Sequence, residues 1–362
     1  METKSGGSRP RRNSFGTATP KFHEAITFQA DGRLKESEDC CADALRLLTG
    51  EEKHSLEAVS VRNTLASIRL DRGKFHQARQ DARRALEIAA SLGEPGADTG
   101  LDRLRLTALC LIGRSHLQAG ELDAARPLLE RALTMAHYWL PAPAEEKLKI
   151  LTLLGATAKE AGHRHEAEEY YRKALAIAEQ LYDPYHGEVA SLCHRLALLS
   201  EGWDEADHLE PFARRAYEIR SILFGTTSPM AAGAQAGIAL AMEAQGQLKE
   251  AGEKFLHSLS IFDRHYAGEQ CELSIRVELL RDYALCRRAA AGYLISSGRH
   301  TDAREFSNRA QRLFERILGK SHPLVAKWRK DHDAIRRATP LFALKGRQVS
   351  AWDWWRGFSF SR

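Results

Sequence analysis

Small and large apolar residues recur along the chain at fixed distances from a series of glycines. The glycines are Gly32, Gly73, Gly120, Gly162, Gly246 and Gly298. An alanine follows most of them after five residues, and a small residue stands twelve residues after and seven residues before each. Two antiparallel helices approach each other closely only where side chains are small, and glycine readily forms the turn between them. The pattern therefore predicts a helix–turn–helix unit around each glycine.

The intervals between these glycines are 41, 47, 42, 84 and 52 residues, and the longest interval predicts one more unit. In that unit Pro211–Ala216 aligns with Pro127–Ala132, and its turn near Gly202 contains a two-residue insertion around Trp203 and Asp204. Residues 320–338 are predicted to form a terminal helix, which repeat arrays need as a cap. The predicted fold class is all-α: an α-solenoid (superhelix) of about seven helix–turn–helix repeats with a C-terminal capping helix.

The repeat pattern resembles that of the tetratricopeptide repeat family, because it includes alanines seven residues apart around a large residue and the Leu154–Gly155 pair. The units are longer than the usual 34 residues. In this they are similar to the kinesin-light-chain-like subclass, whose second-helix pattern appears at Ala124–Leu133 and whose linker appears at Leu318–Ala326. The resemblance covers about residues 21–335 and implies a protein-interaction solenoid. The coiled coil that precedes the repeats of a kinesin light chain is missing, so a kinesin subunit is not expected.

The net charge of +5 is concentrated at the two ends of the chain. Residues 1–21 carry +4 and residues 336–362 carry +5, so the segment between them is acidic, at −4. This distribution does not support a nucleic-acid-binding surface across the body. We interpret residues 1–20 as a disordered basic N-terminal tail, residues 21–338 as the solenoid and residues 339–362 as an aromatic and basic C-terminal tail.

No motif in the sequence indicates catalysis or a cofactor. Nucleotide-binding glycine motifs are absent, and His163 and His165 are interpreted as exposed turn residues and not as metal ligands. The six cysteines are dispersed, which favours free thiols in a reducing compartment. No signal peptide or transmembrane run is evident. We therefore expect a non-enzymatic cytoplasmic protein without a cofactor or metal, and peripheral membrane contact is the alternative to a purely soluble location.

The first helix of each unit is expected to line a concave groove, which is the usual binding surface of a solenoid. The predicted groove residues are Asn63, Ser67, Arg114, Lys149, Lys159, His194, Arg195 and Arg288. The family resemblance implies that Asn63 fixes the backbone of a bound peptide. Arg114, Lys149, Lys159 and Arg195 form a basic strip that favours an acidic peptide partner.

The C-terminal tail contains five aromatic residues between positions 352 and 360. Its predicted interaction motif consists of Trp352, Asp353, Trp354, Trp355 and Phe358. These rings either pack on the last helices, dock as an autoinhibitory peptide in a groove, or contact a membrane interface. Asp353–Trp354 resembles the tryptophan-acidic peptides that kinesin light chain repeats bind.

The predicted function is a non-catalytic scaffold or adaptor that binds a protein or peptide partner in the concave groove. One alternative is a regulatory sensor whose ligand releases the C-terminal tail, and another is an assembly factor that acts near a membrane. No nucleic-acid partner is expected, and the oligomeric state is left open.

Overall fold

The structure is a computed structural model that describes residues 18–140, 142–201, 203, 206–266 and 277–337. The described residues contain fifteen α-helices and three short 3-10 helices. The first eight α-helices are α1 (Thr19–Ala30), α2 (Leu34–Leu47), α3 (Leu56–Asp71), α4 (Phe75–Leu92), α5 (Thr99–Gln118), α6 (Leu122–Trp139), α7 (Glu145–Glu160) and α8 (Arg164–Leu181). The others are α9 (Gly187–Ala197), α10 (Glu210–Phe224), α11 (Pro229–Ala244), α12 (Leu248–Tyr266), α13 (Val277–Ser296), α14 (His300–Leu318) and α15 (Pro323–Arg337).

The helices α1 to α14 form seven consecutive hairpins, and α15 packs against the last of them. All six glycines that mark the regular turns have φ between +72° and +81°, a left-handed conformation that is easily reached without a Cβ. The predicted α-solenoid of about seven hairpins with a terminal capping helix is therefore confirmed. First helices also contact one another: α3 contacts α5, α5 contacts α7, α9 contacts α11, and α11 contacts α13.

Within a hairpin, a large side chain of the second helix packs onto a small residue of the first. A Cβ added at Gly113 of α5 would lie 2.5 Å from Cδ2 of Leu129 in α6. A Cβ added at Gly155 of α7 would lie 2.6 Å from Cε1 of Tyr171 in α8. Leu129 and Tyr171 are themselves buried. The small positions of the sequence pattern are therefore the places where two helices come closest.

The fifth hairpin departs from the tight turns of the others. After α9 the chain forms a 3-10 helix at Leu198–Ser200, and another at Ala206–Leu209 precedes α10. Trp203 is buried in this connection, with the rings of His165 and His208 edge-on at 4.9 and 5.7 Å between ring centroids. Gly202 and Asp204, which belong to the predicted insertion, lie outside the described residues.

The ends of the array differ slightly from the predicted boundaries. Helix α1 begins at Thr19, inside the segment interpreted as the N-terminal tail, and the Thr19 hydroxyl donates a hydrogen bond to Glu57 at 2.9 Å. At the other end, Trp328 of α15 packs on Phe314 of α14, with 4.4 Å between ring centroids. The aromatic motif of residues 352–358 lies outside the described residues.

Three buried histidines, His194, His322 and His332, have a pKa below the ordinary value because burial disfavours the charged imidazolium. Around His194, the carboxylate of Asp282 opposes this effect and the guanidinium groups of Arg220 and Arg195 reinforce it. The folded state therefore holds these three side chains neutral at a pH where an exposed histidine binds a proton.

We predict that Gly113→Ala destabilises the protein, although alanine normally favours a helix over glycine. Overpacking against Leu129 costs about 1–3 kcal/mol of unfolding free energy, which exceeds the gain of roughly 0.5–1 kcal/mol in helix propensity. Chemical denaturation measures the change. Gly187→Ala at the start of α9 is the matched control, since no neighbouring atom lies within 4 Å of its added Cβ. Equal stability changes in the two variants would contradict this packing.

We also predict that the free energy of unfolding falls between about pH 7.5 and about pH 5.5, because the unfolded chain binds protons at these histidines more readily than the folded chain. Stability from a group with a lowered folded pKa is present above its unfolded value of about 6.5 and is lost as the pH falls below it. Denaturation at both pH values measures the slope. His194→Gln, which keeps a donor for Asp282 but does not titrate, should reduce the slope, and an unchanged slope would contradict the prediction.

Candidate functional site

Three first helices bring basic side chains close together. Lys159 comes from α7, Arg195 from α9 and Arg288 from α13, and we call the surface that they form the inner surface. The pKa of Lys159 is lowered to about 8, mainly by burial and further by the positive charges of Arg195 and Arg288. Glu160 and Asp282 oppose this shift. Arg195 and Arg288 therefore both lie close enough to Lys159 to repel its charge, although they are far from it in sequence.

The side chains of the inner surface differ in their local partners. Arg288 forms an ion pair with Glu201, and Arg195 hydrogen-bonds the buried hydroxyl of Tyr171. Lys159 is half-buried, and no carboxylate within the described ranges forms an ion pair with its amine. A half-buried ammonium group without a carboxylate is unfavourable, and an acidic ligand would relieve this cost.

A buried polar cluster supports the inner surface from behind. Nε2 of His194 lies 3.0 Å from Oδ1 of Asp282, and Arg220 lies 3.7 Å from Oδ2 of the same carboxylate. Burial alone raises the pKa of Asp282, but the interactions with His194 and Arg220 outweigh it, so the pKa is lowered. The cluster joins α9, α10 and α13. It reaches across α11 at Gly233, where an added Cβ would lie within 3.0 Å of the Asp282 carboxyl carbon.

Five of the predicted groove residues are not part of the inner surface as defined above: His194, Arg114, Lys149, Asn63 and Ser67. His194 is buried and belongs to the Asp282 cluster. Arg114 pairs with Asp71 of α3 at 2.5 Å, and Lys149 is exposed and pairs with Glu145 at 3.2 Å.

Asn63 is 5% exposed, and its amide nitrogen donates a hydrogen bond to the backbone carbonyl of Leu104 in α5 at 3.0 Å. This donor is therefore occupied by the neighbouring hairpin. Ser67, one turn further along α3, is half-buried. Three of the eight predicted residues, Lys159, Arg195 and Arg288, thus lie close together, and the binding role of all eight stays a prediction.

Sequence reasoning missed Asp282, which lies next to three of the predicted residues. It stands sixteen residues before the turn glycine Gly298, one helical turn beyond the positions that the repeat pattern assigns to the groove. The extra length of α13 was visible in the sequence, but its pairing with His194, 88 residues earlier, was not.

A shallow depression of about 400 Å³ lies at the turn between α7 and α8. Gly162, His163, Arg164, His165, Glu166 and Trp203 line it. His163 is more than half exposed. Throughout the described ranges, no three His, Cys, Asp or Glu side chains are grouped so that they could hold a metal ion.

Cys40, Cys41, Cys110, Cys193 and Cys286 are buried free thiols, and Cys271 lies outside the described residues. Burial raises the pKa of Cys41 and Cys110 to about 12, so these two thiols stay protonated. No helix in the described part of the chain combines the length and apolar character needed to cross a membrane.

Comparison with solved structures found helical repeat proteins of low sequence identity. A putative kinesin light chain repeat protein from Podosopora anserina is 19% identical with a TM-score of 0.48, over 57% of this chain and 96% of that one. BtubC from P. vanneervenii is 16% identical with a TM-score of 0.47, over 76% and 96%. The apo form of RapI is 12% identical with a TM-score of 0.48, over 89% and 98%. A search of curated proteins found no match.

The family comparison identifies the repeat itself. A family model described as a tetratricopeptide repeat matches residues 105–137, which span most of α5 and α6, and residues 148–186, which span most of α7 and all of α8. Each match thus coincides with one helical hairpin of the structure. The resemblance predicted from the sequence is thus confirmed at two hairpins: residues 105–137 and 148–186 of this α-solenoid are similar to tetratricopeptide repeats.

Proposed function

We propose that this protein is a non-catalytic interaction scaffold whose inner surface binds an acidic segment of a protein partner. The observation that carries the proposal is the position of Lys159. Its amine is half-buried, and the positive charges of Arg195 and Arg288 act on it from two other hairpins. A carboxylate bound here would form a charge-assisted hydrogen bond with an amine that no carboxylate of the described residues pairs with.

Charge supports an acidic partner over the protein's own C-terminal tail as the occupant. Residues 339–362 contain Lys345, Arg347, Arg356 and Arg362 but only one acidic residue, Asp353. A tail with this excess of positive charge is repelled by the inner surface. The adaptor function is therefore favoured over the alternative in which the tail blocks the groove.

We predict that Lys159→Glu weakens binding of a fluorescent oligoglutamate peptide by about tenfold or more, since a hydrogen bond to a charged group contributes about 1.5–3 kcal/mol. Lys149→Glu is the matched control: it makes the same change of charge on the same helix, but at an exposed side chain. Fluorescence anisotropy measures both affinities. Equal losses in the two variants would show that the peptide senses only net charge and would overturn the proposed site.

Binding should also weaken as the pH rises through about 8, the pKa of Lys159. A bound carboxylate stabilises the protonated amine, so its pKa is higher in the complex than in the free protein, and the complex loses affinity when the free amine deprotonates. Anisotropy titrations at several pH values measure this dependence. Lys159→Met should remove it, and a slope that persists in this variant would assign the pH dependence to another group.

A further inference from the structure

The turn of the second hairpin contacts the linker that precedes the capping helix. A Cβ added at Gly73 would lie 2.9 Å from Cδ of Pro323 and 3.0 Å from Cδ2 of His322. At four equivalent turns an added Cβ would have no atom within 4 Å: Gly120, Gly162, Gly246 and Gly298. The turn at Gly73 therefore differs from these four in having a partner, and that partner lies about 250 residues further along the chain.

The linker residue His322 is buried at this contact, with 5% of its surface exposed. Its Nδ1 accepts a hydrogen bond from the backbone nitrogen of Leu324 at 3.2 Å, which fixes the ring at the start of α15. The ring also faces the backbone carbonyl of Asp71, whose carboxylate pairs with Arg114. The contact thus joins α15 to α3 and, through the Asp71 ion pair, to α5.

A second contact crosses the superhelix nearby. Lys327 of α15 lies 3.9 Å from Glu160 of α7, but both side chains are more than half exposed. Exposed ion pairs of this kind contribute little to stability. The packing of His322 and Pro323 against Gly73 is therefore the main connection between the two ends.

We propose that this packing is a clasp that closes the superhelix and limits access to the inner surface. The second part of this inference, that the clasp limits peptide access to the inner surface, is called gating below and rests on the proposed function. Glu160, the partner of Lys327, directly follows Lys159 in α7, so α15 passes over the edge of the inner surface. An extended peptide reaches Lys159, Arg195 and Arg288 along the superhelix axis, or from the side once the clasp has opened.

The repeat pattern supplies a matched pair of variants that tests the clasp. Gly73→Asn and Gly120→Asn place the same side chain at turns with nearly the same backbone, φ +72° and +78°. Asparagine adopts this left-handed conformation more readily than most residues. The local cost is therefore similar in both variants, whereas only the first introduces a clash with Pro323.

Closure is measured on the full chain by amine crosslinking and by small-angle X-ray scattering. Lys74 adjoins Gly73, and Lys320 lies two residues before His322, so a short amine-reactive reagent should join them in the unaltered protein. We expect the Gly73→Asn protein to lose this crosslink and to have a larger radius of gyration. The Gly120→Asn protein should keep the crosslink and the radius of gyration of the unaltered protein. If the two variants behave alike, or if the crosslink is absent from the unaltered protein, the clasp is overturned.

Gating is measured by the association rate of the oligoglutamate peptide. The rate rises in proportion to the fraction of open molecules, so we expect an increase of about threefold or more in Gly73→Asn and none in Gly120→Asn. An expanded Gly73→Asn protein with an unchanged rate would overturn gating and leave closure supported. A peptide that binds none of the three proteins would overturn the proposed function, while a difference in radius of gyration would still support closure.

Discussion

Close packing of a large side chain on a small residue determines how the two helices of each hairpin meet. At Gly113 and Gly155 there is no space for a single methyl group, because Leu129 and Tyr171 occupy it. A contact this close fixes which face of the first helix is turned toward the second. The opposite face of every first helix is then available for contacts with the neighbouring hairpins or for the interior of the superhelix.

Several charged side chains of the described helices have left bulk water. Asp282 holds His194 and Arg220 in one buried cluster, and Arg287 is completely buried with its pKa lowered to about 10 by desolvation. Removing charges from water is costly, and ion pairs recover that cost only when their geometry is good. At Lys159 the described residues provide no carboxylate that forms an ion pair, so this position is where an external acidic group gains most.

The sequence predicts the hairpins well because their determinants are local. Each regular turn depends on a glycine with positive φ, and the close contacts within hairpins at Gly113 and Gly155 join residues sixteen positions apart. The inner surface is only partly predictable. The repeat register placed Lys159, Arg195 and Arg288 correctly on first helices. It did not reveal that the amide of Asn63 is used by Leu104, because that bond depends on how two hairpins stack.

The longest-range features have no signature in the sequence. Asp282 and His194 are 88 residues apart, and the clasp joins Gly73 to a linker about 250 residues later. Such contacts depend on the accumulated rotation of successive hairpins, and small changes at each one determine whether the two ends meet. Gly73 looks like every other turn glycine in the pattern, and only the folded superhelix distinguishes it.

The central claim is that an acidic partner binds at Lys159, and the reactivity of this amine tests it most directly. Competitive acylation followed by mass spectrometry compares Lys159 with Lys149 on the same helix, with and without oligoglutamate peptide. A lowered pKa increases the fraction of the Lys159 amine that is unprotonated and reactive near neutral pH, and a bound carboxylate keeps the amine protonated. The account predicts that the peptide protects Lys159 and leaves Lys149 unchanged. Equal protection of both amines, or protection of neither at saturating peptide, would contradict it.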